Sequence, residues 1–131
     1  MEKTPKFYQC LTCGNIIVKI IDSGVTPKCC ESFMKPLEPK SKEMGLEKHL
    51  PIVTRLDPCS IQVKVGSTPH PSTAEHHIDF IALHTKEGVE FKTINQDGKD
   101  PEITFTCKQG EAIGVYSFCN LHGLWYQPFT E

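Results

Sequence analysis

Hydrophobic and polar residues alternate with a period of two along the C-terminal two thirds of the chain. Three segments show this alternation, with apolar side chains at positions 61, 63 and 65, at 78, 80 and 82, and at 103, 105 and 107. Residues 112–118 form a further short run rich in β-forming side chains. Because a period of two places alternate side chains on one face of a strand, each segment is predicted to be a β-strand.

Turn-forming residues separate these segments, and no long window has the spacing of an amphipathic helix. Turns are predicted at Asp57-Pro58, Val65-Gly66-Ser67, Lys86-Glu87-Gly88, Asp97-Gly98 and Gln109-Gly110. Short strands joined by regular turns favour an antiparallel sandwich or barrel. The predicted fold class is therefore all-β.

The first 40 residues differ from the rest of the chain in their balance of charged residues. They carry six Lys and four acidic residues, whereas residues 41–131 carry eight basic and twelve acidic residues. Residues 34–43 contain two prolines and several charges, and they are predicted to be a linker. A piece of about 40 residues buries too little apolar surface to fold alone and usually needs a metal or a crosslink.

Composition excludes several classes of protein. With 131 residues, 38% hydrophobic and 23% charged, the chain is typical of a globular protein. Its apolar runs are too short to span a bilayer, and a net charge of −2 gives no basic surface for nucleic acid. The seven cysteines are an odd number, and no secretory signal precedes them, which favours reduced thiols in the cytoplasm.

Four of the cysteines are clustered within the N-terminal piece. Cys10-Leu-Thr-Cys13 is a Cys-x-x-Cys pair, and fifteen residues separate it from the adjacent pair Cys29-Cys30. Two separated thiolate pairs can surround one metal ion tetrahedrally. Since adjacent cysteines must splay apart to reach one ion, a distorted tetrahedron is expected. The ion is either a structural zinc or an iron that also transfers electrons.

Histidines and one cysteine form a second constellation. His49 precedes Leu50-Pro51, His70 and His76 flank a proline-containing loop, and Cys119-Asn-Leu-His122 is a Cys-x-x-His loop. Structural zinc sites use four ligands, whereas five ligands of mixed softness with one open position suit an iron that meets a small substrate. A thiolate ligand pushes electron density towards whatever binds opposite it.

The remaining histidines and cysteines are given ordinary roles. His76 and His77 are neighbours and would point to opposite faces of a strand, so only one is expected to reach the metal, and His76 fits the spacing better. His84 is interpreted as a surface or hydrogen-bonded residue. Cys107 is in phase with Phe105 and is predicted to be a small buried side chain, while Cys59 is given no role.

The sequence resembles the two-iron superoxide reductases, also called desulfoferrodoxins, over essentially the whole chain. Four blocks in the family order carry this resemblance: Cys10-x-x-Cys13 with Cys29-Cys30, Glu47-Lys48-His49-Leu-Pro51, His70-Pro71 to His76, and Cys119-Asn-Leu-His122-Gly-Leu-Trp125. Ser72 stands where many relatives carry Met, a departure that leaves the ligand set intact.

The resemblance implies two domains, each with one iron ion. Residues 1–38 are expected to form a desulforedoxin-like domain with an Fe(Cys)4 centre, and residues 39–131 an immunoglobulin-like β-sandwich with a catalytic Fe(His)4(Cys) centre. In the second centre, the family places four imidazoles in the equatorial plane and a thiolate on the axis. These ligands map to His49, His70, His76 and His122, and to Cys119.

The activity implied by the resemblance is one-electron reduction of superoxide to hydrogen peroxide, which detoxifies oxygen species. The chain is expected to be a homodimer that receives electrons from a rubredoxin-like donor. Since the net negative charge does not attract an anion, Lys48 beside His49 is the candidate that steers superoxide. The family implies that Glu47 occupies the sixth position of the ferric iron. The ordinary alternative for both side chains is a solvated surface position.

Two other functions are compatible with parts of the pattern. In a non-catalytic electron carrier, both irons would only shuttle charge, with no open coordination position. In a zinc-ribbon interaction module, the sandwich would bind a partner protein, and the histidine cluster would have no explanation. Superoxide dismutation is a variant of the main hypothesis that depends on the reduction potential of the second centre.

Overall fold

The computed structural model describes residues 4–42, 48–67, 69–95 and 98–131. All regular secondary structure in these residues is β-strand. None of the described segments is a long apolar helix of the kind that crosses a membrane. The chain divides into two compact units, Met1–Glu38 and Pro39–Glu131.

The N-terminal unit is built from five short strands, which are β1 (Lys6–Gln9), β2 (Ile16–Lys19), β3 (Lys28–Cys29), β4 (Ser32–Phe33) and β5 (Lys35–Pro36). They form a three-stranded sheet in the order β2-β1-β5 and a separate β3-β4 hairpin. Among residues 4–38, three apolar residues are buried, namely Phe7, Cys10 and Met34. The sequence pattern had not indicated these strands, because each is too short to show an alternation.

The proposed linker contains ordered structure. Within residues 34–43, strand β5 pairs antiparallel with β1, and Pro36 lies opposite Tyr8. A proline is tolerated there because β5 is an edge strand, where a missing N–H breaks no ladder. The linker prediction is therefore wrong for β5, whereas Glu43 lies outside the described residues.

The C-terminal unit is a sandwich of two antiparallel sheets. Its strands are β6 (Pro51–Asp57), β7 (Ser60–Val65), β8 (Ile78–Thr85), β9 (Gly88–Thr93), β10 (Glu102–Thr106), β11 (Ala112–Cys119) and β12 (Gly123–Pro128). One sheet has the order β10-β7-β6 and the other β12-β11-β8-β9. Their inner faces enclose one apolar core, which includes Ile61, Val63, Leu83, Phe105 and Val115. The all-β prediction is confirmed.

Strand β8 departs from the simple alternation that its sequence suggests. The predicted inward set was Ile78, Phe80 and Ala82, but the core contains Ile78, Ile81 and Leu83. The register explains the change, because Cys119 of β11 lies opposite Ile78 whereas Phe118 lies opposite Phe80, which leaves one extra residue on β8. Such a β-bulge reverses the phase of the side chains on either side of it.

Turns occur at the predicted positions in the part of the chain that the structure describes. Asp57-Pro58 begins the β6–β7 connection, Lys86-Glu87 joins β8 to β9, and turns occur at Gly66-Ser67 and Gln109-Gly110. The strands predicted around residues 61–65, 103–107 and 112–118 are confirmed as β7, β10 and β11. The predicted turn at Asp97-Gly98 includes Asp97, which lies outside the described residues.

Gly114 is a position where the fold needs the absence of a side chain. It is buried on β11, and a Cβ at this site would overlap the phenol ring of Tyr126 on β12. We expect Gly114→Ala to destabilise the protein by about 1–3 kcal/mol, because the ring must move in a packed layer. Urea unfolding measures this loss. In a Tyr126→Ala background the same substitution should cost much less, and an equal cost in both backgrounds would contradict the steric explanation.

Two candidate metal centres

Four cysteine sulfurs meet in the N-terminal unit. The Sγ atoms of Cys10, Cys13, Cys29 and Cys30 all lie within 4.8 Å of one another. The Sγ of Cys29 is 3.6 Å from that of Cys13 and 4.0 Å from that of Cys30. Four sulfurs arranged tetrahedrally at a metal–sulfur distance of about 2.3 Å would be about 3.8 Å apart. The donor set and its spacing therefore fit a four-thiolate metal centre.

The local backbone explains how adjacent cysteines can face one ion. Cys30 and Glu31 have φ angles of 51° and 62° and form the two-residue loop of the β3–β4 hairpin. Two successive positive φ angles define a type I′ turn, which usually contains Asn and Gly because other residues are strained there. This turn displaces Cys30 from the strand direction of Cys29.

Hydrogen bonds around the cysteines favour ionisation of one thiol. The backbone N–H of Cys13 donates to Cys10 Sγ over 3.4 Å, and this contact is the main cause that lowers the pKa of Cys10 to about 6. The neighbouring thiols of Cys13 and Cys10 raise the pKa of Cys30 to about 12. A thiolate is the form of cysteine that binds metals, so Cys10 is the first ligand available to a cation near neutral pH.

The N-terminal unit has little else to hold it together. Among its described residues, three apolar side chains are buried, whereas five large apolar side chains are at least two-thirds exposed, namely Leu11, Ile20, Ile21, Val25 and Phe33. In domains of this kind the free energy of metal binding supplies the free energy of folding. Folding of this unit is therefore expected to depend on the metal.

Replacing both Cys13 and Cys30 with Ala tests this dependence, because the two side chains are exposed and contribute little packing. We expect amide exchange in β1 and β2 to accelerate by more than about 100-fold. The reason is that the free energy of metal binding that is lost exceeds the free energy of unfolding of so small a unit. Amides of β7 in the same chain serve as the internal reference. The matched control is Cys59→Ala, another exposed cysteine, and unchanged exchange in the double variant would refute metal-dependent folding.

A second group of ligating side chains lies in the sandwich unit. Ligand atoms of His49, His70, His76 and Cys119 all lie within 4.8 Å of one another. His122 adjoins this group, with its Nδ1 3.0 Å from His49 Nε2 and 3.6 Å from Cys119 Sγ. His49, His70 and Cys119 are at most 3% exposed. The five side chains are called the His–Cys centre below.

The chemistry of the His–Cys centre fits a transition metal. Two imidazole nitrogens about 2.1 Å from one ion and at right angles to each other would be about 3.0 Å apart, which is the separation of His49 Nε2 and His122 Nδ1. Neutral imidazoles and one thiolate form a mixed nitrogen and sulfur donor set that iron and copper accept. Burial of His49, His70 and Cys119 limits the water that could compete for an ion, whereas His76 and His122 are partly exposed.

The five side chains come from three separate parts of the sandwich. His49 lies two residues before β6, His70 and His76 lie in the connection between β7 and β8, and Cys119 ends β11 with His122 in the following turn. Because β8 and β11 pair with the bulge described above, Cys119 lies opposite Ile78 and beside the end of the histidine loop. The sheet register thus brings Cys119 close to His76, although more than 40 residues separate them in the sequence.

Two side chains whose contacts with His49 the sequence did not indicate hold this residue in place. The Ser117 hydroxyl, fully buried on β11, donates to the His49 carbonyl over 2.8 Å. The ring of Trp125 on β12 stacks on the imidazole of His49, with centroids 4.5 Å apart and an interplanar angle of 8°. Trp125 belongs to the recognised Cys119–Trp125 block, but its partner was not predictable because the contact joins distant strands.

Asn120 connects the two loops that carry the ligands. Its side-chain oxygen accepts from the N–H of His77 over 2.8 Å, and its amide nitrogen donates to the Glu75 carbonyl over 2.9 Å. Its own backbone N–H donates to the His77 carbonyl over 3.1 Å. These three hydrogen bonds fix the Cys119 turn against the residues on both sides of His76.

The remaining histidines and cysteines lie outside both ligand groups. His77 lies outside the His–Cys centre, and its ring nitrogens face the Thr73 carbonyl at 2.8 Å and Asp79 Oδ1 at 2.9 Å. His84 is buried on β8 away from both ligand groups. Cys107 is a member of the apolar core, as predicted, and Cys59 is exposed.

Lys48 is half-buried immediately before His49. Gly66 approaches its backbone so closely that a Cβ on Gly66 would lie 2.9 Å from the carbonyl carbon of Lys48. The segment that carries Lys48 and His49 is therefore packed against the turn that follows β7. Glu47, the other residue predicted to act at the iron, lies outside the described residues.

Comparisons with known proteins agree on one family. A family model described as Desulfoferrodoxin matches residues 41–128. A desulfoferrodoxin homolog of Methanothermobacter thermautotrophicus is 35% identical over 126 residues, which cover 96% of this chain and 100% of the relative. A superoxide reductase of Thermococcus kodakarensis is 35% identical over 108 residues, covering 70% of this chain and 93% of the relative.

A solved structure extends the likeness to the whole fold. The crystal structure of the superoxide reductase from Treponema pallidum aligns with a TM-score of 0.80 and 27% identity, over 96% of this chain and 99% of that chain. Fold and ligand geometry together define an all-β protein with two clusters of metal-ligating side chains. The chain belongs to the desulfoferrodoxin family.

Proposed function

We propose that this chain is a superoxide reductase, which reduces superoxide by one electron to hydrogen peroxide and so detoxifies oxygen species. The observation that carries this proposal is the buried His–Cys centre, in which three imidazoles and a thiolate have ligand atoms within 4.8 Å and a fourth imidazole adjoins them. The similarity to proteins named superoxide reductase supports it.

Two iron ions per chain complete the proposal. Membership in the desulfoferrodoxin family supports iron as the metal. In residues 1–38 the ligands of an Fe(Cys)4 centre would be Cys10, Cys13, Cys29 and Cys30, and in residues 39–131 those of an Fe(His)4(Cys) centre would be His49, His70, His76, His122 and Cys119. Bound at the second centre, iron would supply the electron and an open coordination position for superoxide.

The protein's own groups prepare the reaction in two ways. Cys119 would hold the metal as a thiolate and donate electron density to it. The apolar core around Cys119 limits water, which strengthens electrostatic interactions inside the site. Reduction of superoxide to hydrogen peroxide takes up one electron and two protons, and the protons would come from solvent.

Lys48 and Glu47 are proposed to act at the substrate side. A lysine beside His49 would attract the superoxide anion locally, which the net charge of −2 does not do. Glu47, which lies outside the described residues, is the carboxylate that would serve as a further ligand of a ferric iron. The rubredoxin-like electron donor, the homodimer and the cytoplasmic location stay predictions.

The first experiment is the visible spectrum and metal content of the purified protein, followed by addition of superoxide to the reduced sample. We expect two irons per chain and a thiolate charge-transfer band of the His–Cys centre that disappears on reduction and returns with superoxide. The band should be missing in Cys119→Ala and intact in the control Cys107→Ala, which alters another buried cysteine. A zinc protein without this band would point to an interaction module, and a band unresponsive to superoxide to an electron carrier.

Lys48→Ile tests the steering role. We expect the second-order rate constant for superoxide to fall about tenfold at low ionic strength, because a local positive charge raises the encounter rate. The rate constant of the variant should also depend less on salt than that of the parent protein, because the positive charge that salt screens has been removed. Pulse radiolysis measures both, with Lys86→Ile in the β8–β9 turn as the matched control. An unchanged rate constant in Lys48→Ile would refute steering by this residue.

A further inference from the structure

Lys40 contacts the His–Cys centre although it belongs to none of the ligand loops. Its ammonium donates to the carbonyl of His122 over 2.8 Å. Its backbone lies beside β12, where the Lys40 N–H donates to the Leu124 carbonyl and the Tyr126 N–H donates to the Lys40 carbonyl, each over 2.9 Å. The backbone bonds fix the base of the side chain, so that the ammonium reaches the β11–β12 turn.

The Lys40 side chain also contacts Trp125 on β12, the ring that stacks on His49. The Lys40 ammonium lies 5.3 Å from the centroid of the Trp125 ring, within the range of a cation–π contact. Trp125 in turn stacks on the imidazole of His49 at 4.5 Å. One lysine is therefore connected to His122 through a carbonyl and to His49 through an aromatic ring.

We propose that Lys40 is a positioning residue of the His–Cys centre, which holds His122 and the Trp125–His49 stack so that both imidazoles reach one metal ion. This inference rests on the proposed metal centre. It concerns the imidazoles of His49 and His122, whose ring nitrogens are 3.0 Å apart. Movement of either ring would change this separation.

The position of His122 explains why such a contact is needed. His122 lies in the turn between β11 and β12, outside the strand ladder, and its neighbour Leu121 is 60% exposed. Without the Lys40 ammonium, its carbonyl would bond to water, and the turn would lose a charge-assisted hydrogen bond to the rest of the unit. Groups that orient a ligand from outside typically change metal affinity by 10–100-fold when they are removed.

The chain offers a closely matched control in Lys92. Its ammonium donates to the Thr104 carbonyl over 3.1 Å and lies 5.0 Å from the Phe105 ring centroid, so it makes the same two kinds of contact. Thr104 and Phe105 are on β10 and are not members of either ligand group. Lys92→Met therefore removes equivalent contacts from the sandwich without touching the centre.

The test measures how fast iron leaves the His–Cys centre of the full chain, with a ferrous chelator in excess and the band that Cys119→Ala lacks as the signal. We expect Lys40→Met to release iron about tenfold faster than the parent protein, and the band of its oxidised form to shift. Lys40→Arg should restore release to within about threefold, because a guanidinium also donates to a carbonyl and stacks on an aromatic ring. Lys92→Met should release iron at the parental rate.

Three results would overturn the inference. Release from Lys40→Met at the parental rate would show that the contacts do not position the ligands. Equal acceleration in Lys40→Met and Lys92→Met would show general loosening of the sandwich instead. If the parent protein binds iron only at the four-cysteine group, the proposed function fails together with this inference, whereas the first two results leave the proposed function intact.

Discussion

The antiparallel pairing of β8 with β11 is the constraint on which the His–Cys centre depends. It sets Cys119, the last residue of β11, against Ile78, the first residue of β8, one residue after His77. The extra residue in β8 lets Ile78 face the core at the end where the ligands meet, while Ile81 and Leu83 face the same core further along. A shift of register by one residue would turn Cys119 away from the core and from the histidines.

The two units are stabilised by different means. The sandwich unit buries a continuous apolar core between two sheets, including Ile61, Val63 and Phe105, each 0% exposed. The described part of the N-terminal unit has three buried apolar side chains and four clustered cysteines. Burial of apolar area therefore dominates in the first case, and metal–thiolate bonds are the available substitute in the second.

The ligands of the His–Cys centre are held by contacts that come from neighbouring strands and loops. Ser117 fixes the backbone carbonyl of His49, Trp125 covers the imidazole ring, and Asn120 joins the histidine loop to the Cys119 turn. Each contact restrains a different degree of freedom of a ligand: backbone position, ring orientation and loop separation. Such restraint lowers the entropy that ligands would lose on binding a metal, which favours a rigid centre.

The sequence determined the fold class, the main strands of the sandwich and the identity of the ligand types. Alternation predicted β7 and β10 because each has one buried face, and the Cys-x-x-Cys and Cys-x-x-His spacings indicated metal chemistry because local loops set those distances. Only the tertiary structure decided the phase of β8, where a bulge depends on the partner strand, and the strand β5 within the supposed linker. It also decided which side chains support the ligands, since Ser117, Trp125 and Lys40 reach them across strands, and pairing between distant segments leaves no local pattern in the chain.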